Sequence, residues 1–140
     1  MEEYSKLREK LESFKGLPVG WDSYKDTEPP SKWAIRWAKC ALTILETRGL
    51  RSPEYVVVNV NGGIDFRFWG NYWNVALSFF NGETIVLSIH RKDWGENISK
   101  AIHYSDIDGV LIALDMIFRA EELEDRAPRE KTAEPLTRGR

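Results

Sequence analysis

Apolar positions along the chain change their period twice. Between residues 2 and 15, Tyr4, Leu7, Leu11 and Phe14 recur at helical spacing among balanced charges. This predicts a short amphipathic helix that needs another surface to dock on. A loop with Gly16, Pro18 and Gly20 follows and ends in Glu28-Pro29-Pro30. Ser31 then stands as an N-cap before an apolar stripe of Ala34, Trp37, Ala38, Ala41 and Leu45, and Gly49 supplies the stop. The second predicted helix therefore covers 31–48. Lys32, Arg36, Lys39, Arg48 and the following Arg51 make it basic.

From residue 55 to residue 90 the period falls to 2, and Asn61-Gly62-Gly63, Gly70-Asn71 and Asn81-Gly82 separate four strand-like runs. Residues paired across a ladder must share a face, which constrains the loops. A two-residue Gly70-Asn71 turn sets Phe68 opposite Trp73 and Phe66 opposite Val75. The other two hairpins need three-residue loops, 61–63 and 80–82, with Gly82 in the left-handed region. They set Val58 opposite Phe66 and Val75 opposite Leu87.

Residues 98–104 read as a short additional edge strand. A third helix is expected over 106–122, opened by a Ser105/Asp108 capping box, with Ile107, Val110, Leu111, Leu114, Ile117 and Phe118 along one side. From Arg126 the chain is charged, contains proline and lacks periodicity, so disorder is expected over 126–140. The fold class is α+β in a single domain over 1–125. A four-stranded antiparallel meander, five-stranded if the edge strand forms, is packed on one face by two helices, with an extra N-terminal helix.

Composition narrows the function classes. A net charge of −2 over 140 residues removes the global basicity typical of nucleic-acid binders. No apolar run approaches the roughly 18 residues of a membrane span. The charged N-terminal segment does not resemble a signal peptide, and the single Cys40 cannot close an internal disulfide. A cytoplasmic location without membrane attachment is the expectation.

Candidate chemistry is sparse. Cys40 falls within the apolar part of the second helix, where a small buried hydrophobe is expected. His90 and His103 belong to no metal-ligand spacing. Asp108, Asp115 and Glu122 recur every seven residues and read as a solvated helix stripe, in a segment 105–125 with seven acids and Arg119 as its one base. A non-catalytic protein with no metal and no cofactor is expected.

The stronger signal lies on the sheet face turned away from the core. In the expected register, Tyr55, Trp69, Tyr72 and His90 form one row across all four strands. Val57, Arg67, Asn74 and Ser88 form the next row. Trp, Tyr and Arg are the residue types that dominate protein–protein hot spots. The expected partner-binding residues are Tyr55, Arg67, Trp69, Tyr72 and His90, with Trp94 in the adjoining loop. They point to a module that occupies a partner protein's surface, of the antitoxin, immunity or phage-encoded inhibitor type. Two alternatives use the same face. One is single-stranded nucleic-acid binding by the aromatic row together with the basic helix 31–51. The other is a homodimer joined through the sheet.

Gly20-Trp21-Asp22-Ser23-Tyr24, followed by a proline-containing turn, a helix and a glycine turn at Asn61-Gly62-Gly63, resembles small bacterial and phage proteins of uncharacterised role with a GWD-x-Y motif. The likeness covers residues 16–70. Lys25 stands where those proteins more often have glycine. The resemblance implies a helix leading into an antiparallel sheet and carries no activity with it. In physical terms, Trp21 and Tyr24 would cap one end of the core while Asp22 satisfies turn amides.

Overall fold

The computed structural model describes residues 2–18, 20–21, 28–92 and 95–132. Helix α1 (Glu2–Ser13) runs into a single 3-10 turn (Phe14–Gly16), and α2 spans Lys32–Thr47. Five strands follow: β1 (Tyr55–Asn59), β2 (Gly63–Trp69), β3 (Trp73–Phe80), β4 (Thr84–Arg91) and β5 (Glu96–Ile102). A 3-10 turn (Tyr104–Asp106) then leads into α3 (Ile107–Thr132). The strands form one open antiparallel sheet in sequence order, β1-β2-β3-β4-β5. The fold is α+β with the fifth strand present.

The helices pack on one sheet face. Ala34, Ile35, Ala38, Ala41, Leu42 and Leu45 of α2 are buried together with Phe66, Phe68, Leu77 and Phe79 of the sheet. Helix α1 joins this core through Tyr4 and Leu11, the 3-10 turn after it through Phe14, and α3 through Ile107, Leu111, Leu114 and Phe118. The Phe118 ring stacks on Phe68 with centroids 6.2 Å apart. Trp37 and Trp73 lie half-buried at the rim of the core. The expected cap of α2 forms: Ser31 Oγ accepts from the Ala34 amide at 3.1 Å, and Gly49 takes a φ of +67° just past the end.

Four expectations need correction. Cys40 is exposed, because the buried stripe of α2 runs through positions 38, 41, 42 and 45 and leaves 40 outside it. No Ser105/Asp108 capping box forms. His103 Nδ1 accepts from the Ser105 amide instead, and Asp108 turns to Arg48 in a bidentate pair at 2.6 and 2.7 Å. Helix α3 continues to Thr132, ten residues past the expected end at 122. The expected tail boundary at 126 thus falls inside it, and 133–140 lie outside the described residues.

The fourth correction concerns the acidic stripe, which is not simply solvated. Asp115 is 7% exposed, accepts from the Arg51 amide at 2.9 Å and pairs with Arg119 at 2.6 Å. Next to Glu122 in the chain, Glu121 is 4% exposed, and its carboxylate accepts from three successive amides, Asn71, Tyr72 and Trp73, at 2.9, 2.9 and 3.0 Å. A carboxylate receiving several backbone N–H groups is a strong anchor. The acids of α3 therefore pin two chain turns to the helix layer, the α2–β1 connection and the β2–β3 turn.

Candidate protein-binding surface

The faces of the strands are as expected, and the rows are not. Val58 pairs with Ile64 and Val56 with Phe66, Phe68 with Val75, and Leu77 with Leu87. Each hairpin differs from the expected register by two residues. The loops move by one position to 60–62, 71–72 and 81–83, so parity and faces survive. A two-residue slip displaces one strand along its neighbour by about 7 Å. The row containing Trp69 now continues through Asn74, His90 and Asn97. The next row runs Tyr55, Arg67, Ala76, Ser88 and Ser99.

These two rows line a shallow recess of ≈350 Å³ on the outer face, with Arg67, Trp69, Asn74, Ala76, Ser88, His90, Asn97 and Ser99 around it. Every described lining residue comes from β2 to β5. Small side chains at Ala76, Ser88 and Ser99 form its floor, which is why the strands leave a depression there. Trp69 and Tyr55 stand at one end, 46% and 49% exposed, with their rings edge to face at 4.9 Å. Although β1 stops at Tyr55 and cannot pair with Trp69, the Trp69 backbone is held. Its amide donates to Glu54 Oε1 at 2.9 Å, and its carbonyl accepts from the Arg51 guanidinium. Side chains of the α2–β1 connection thus replace the missing ladder.

The polar groups of the recess are partly committed. His90 Nδ1 lies 2.7 Å from Asn97 Oδ1, so as oriented the imidazole donates to the amide oxygen. Ser88 and Ser99 hydroxyls share a hydrogen bond at 3.1 Å. Arg67 makes a long contact to Asp65 at 3.4 Å, while Asp65 itself is buried and accepts from Asn59 Nδ2 at 2.9 Å. The Asn74 Oδ1 atom is buried and has no hydrogen-bond partner. An unpaired buried acceptor costs about 1–3 kcal/mol.

Of the residues expected here, the structure brings Arg67, Trp69 and His90 together around the recess and places Tyr55 against Trp69. Tyr72 is the correction. It sits in the β2–β3 turn, its amide on Glu121 and the Arg91 guanidinium over its ring at 5.6 Å, and takes no place in the row. Trp94 lies outside the described residues. Asn74, Ser88, Asn97 and Ser99 were not expected as site residues. Their outward parity marks their face, and the turn register sets the row in which they stand.

The basic side of α2 lies on the helix layer, across the sheet from the recess. There Lys32, Arg36 and Lys39 border a separate hollow with Lys15. The aromatic end of the outer face and these cations do not form one continuous surface. Among the described residues no three His, Cys, Asp or Glu side chains converge as a metal site would require. No described helix is long and apolar enough to cross a membrane.

No protein family matches the chain, and no curated protein or solved structure is similar to it. Within the GWD-x-Y segment, Asp22, Ser23 and Tyr24 lie outside the described residues. Trp21 is described, and its indole N–H donates to the Glu28 carbonyl at 3.2 Å.

Proposed function

We propose that the protein is a binding module that engages a partner protein through the outer face of its sheet, without catalysis or a cofactor. The carrying observation is the Tyr55–Trp69 pair, both rings about half exposed, at the end of a recess on the outer face. Aromatic anchors beside a partly unsatisfied polar surface are the ingredients of a hot spot. Tyr55 and Trp69 supply apolar area at low entropic cost. Arg67 supplies directional donors.

Charge favours protein over single-stranded nucleic acid as the partner. Among the described residues around the recess Arg67 is the one permanent cation, and Asp65 offsets it. Phosphate neutralisation by a single arginine supports only weak binding. Antitoxin, immunity and inhibitor proteins act in this surface-occupying manner, and the reading extends to that class by analogy of size and charge alone.

The test is affinity purification from the native host, followed by a titration of the recovered protein against Tyr55→Ala with Trp69→Ala. Loss of two anchors is expected to weaken binding by at least about thirtyfold, equivalent to 2 kcal/mol. Circular dichroism should remain unchanged, since the clamp on Trp69 is made to its backbone. Undiminished binding by the double variant, or recovery of nucleic acid with steep salt dependence, would refute the proposal.

A further inference from the structure

Strand β5 ends the sheet on one side and pairs with β4; among the described residues nothing pairs with its other edge. Every second residue of such a strand turns its N–H and C=O outward, unmatched. Folded chains blunt such edges with a proline, a bulge, a covering helix or several charges. Here the β4–β5 ladder runs from Arg91↔Glu96 to Ile85↔Ile102 without a bulge, and β5 contains no proline. Asn97, Ile98, Ser99, Lys100 and Ala101 are all exposed, so neither face of the strand is covered. The helix layer stops over β4. On that side Ile98 stands beside the half-buried Ile89, and Lys100 beside the half-buried Leu87. Ile98 is 51% exposed, which leaves an apolar step at the margin of the core.

Register arithmetic identifies what fits this edge. A second copy of β5, antiparallel about a twofold axis, must oppose residues of equal parity, because only these share a face and turn their backbone groups toward one another. Each allowed register is therefore centred on a residue. Centring on Asn97 sets Ile98 opposite position 96, a glutamate, and centring on Ser99 sets Ile98 opposite Lys100. Centring on Lys100 sets the two lysines against each other. Centring on Ile98 sets this residue against its own copy and, on either side of it, Lys100 against Glu96. Apolar and opposite-charge cross-strand pairs stabilise a ladder, and like charges oppose it. In that register Ile89, Ile98 and their copies form one apolar row that joins the two cores.

We propose that the protein forms a twofold dimer through the β5 edge, the two sheets becoming one continuous sheet in the register centred on Ile98. The seam leaves Tyr55 and Trp69 free, so it does not rest on the partner surface proposed for the outer face. A short strand pair buries little against the ~1,200 Å² of a stable interface, and the expected dissociation constant is about 10–100 μM.

Sedimentation velocity of the full chain from about 10 μM to 1 mM measures the association. Lys100→Glu sets like charges opposite each other at both ends of the seam and is expected to weaken the dimer about tenfold. Adding Glu96→Lys to it exchanges the charges and is expected to restore the affinity. The Tyr55→Ala, Trp69→Ala variant should dimerise as the wild type does. Register is read by disulfide cross-linking in a Cys40→Ser background. Ile98→Cys meets its own copy within the about 4.4–6.8 Å Cα separation that a disulfide spans, whereas Ser99→Cys lies opposite Asn97 and beyond that reach of its copy. Oxidation should therefore yield covalent dimer from Ile98→Cys and not from Ser99→Cys. A chain monomeric at 1 mM would overturn the inference. So would loss of the dimer in the Tyr55/Trp69 variant, no restoration by the charge exchange, or equal cross-linking at 98 and 99.

Discussion

Replacing Glu121 with alanine tests whether the acids of α3 hold the sheet to the helices. The wild-type carboxylate is 4% exposed and accepts three amides from consecutive residues of the β2–β3 turn. Hydrogen bonds to a charged group contribute about 1.5–3 kcal/mol each when the partner stays dry. Here Asn71 is exposed and Tyr72 half-buried, so water reaches part of the turn after truncation. A figure below that range, about 1 kcal/mol per bond, gives a loss of about 3 kcal/mol.

For a chain of this size that corresponds to a melting-temperature drop of about 10 °C, a large share of the ~5–15 kcal/mol typical of a domain. Glu121→Gln keeps one acceptor oxygen for Tyr72 and Trp73 and turns an NH2 group toward the Asn71 amide. Its expected cost is therefore smaller, about 1–2 kcal/mol. Urea unfolding at neutral pH, read by tryptophan fluorescence and far-ultraviolet circular dichroism together, measures both. A loss below about 1 kcal/mol for Glu121→Ala, or equal losses for the two variants, would refute the anchoring role.

Two further substitutions probe the same framework. In Gly70→Ala the new Cβ would meet Glu121 Oε1 at 2.2 Å and the Phe118 ring at 2.6 Å, so a loss of about 2–3 kcal/mol is expected by thermal melting, and less of it in a Glu121→Ala background. An unchanged melting temperature in Gly70→Ala would show that the close approach is not needed. Tyr4→Phe removes a buried hydroxyl that donates to the Leu50 carbonyl at 2.7 Å, at an expected cost of about 1 kcal/mol. Burial, followed by Glu3, Glu46 and Asp115, pushes the Tyr4 phenol up from 10.0 to about 12. A raised folded value leaves the wild type with full stability below pH 10 and takes about 2 kcal/mol from it as pH rises toward 12. Denaturant midpoints across that range should fall in the wild type and fall less in Tyr4→Phe; parallel curves would contradict the assignment.

How much of the fold was legible follows from what each signal encodes. The helices were marked by apolar stripes and by a cap at Ser31, signals local to the chain, and α1 and α2 lie where those signals put them. The sheet was marked by period-2 alternation, which carries information only modulo two. It separates the core set of Phe66, Phe68, Leu77 and Phe79 from the outer set of Arg67, Trp69, Ser88 and His90, and the structure keeps that division. It cannot distinguish one register from another two residues away. Such a slip moves Tyr72 out of the row and brings Asn74 and Asn97 into it, so the recess was legible as a face and only half legible as a set of lining residues.

The missing two residues were set by contacts that no local rule contains. Glycines were read as turn residues needing unusual φ, and at the β2–β3 connection that reading puts Gly70 inside the turn. In the structure Gly70 precedes the turn, its amide bonded to the Trp73 carbonyl at 2.7 Å, and it is small because Glu121 and Phe118 occupy the space a side chain would need. Gly63 is similar: a Cβ there would lie 2.2 Å from the Phe79 carbonyl oxygen, so its value lies in close strand approach as well as in its φ of +146°. At the β3–β4 connection the left-handed position falls to Glu83 while Gly82 stands beside it. In each case an element distant in sequence, or the fit of a neighbouring strand, selects the turn from the several that parity allows. The outer surface is thus specified jointly. Alternation decides which residues face outward, and the buried acid of α3 fixes how far the β2–β3 hairpin slides before Trp69 and Asn74 come level.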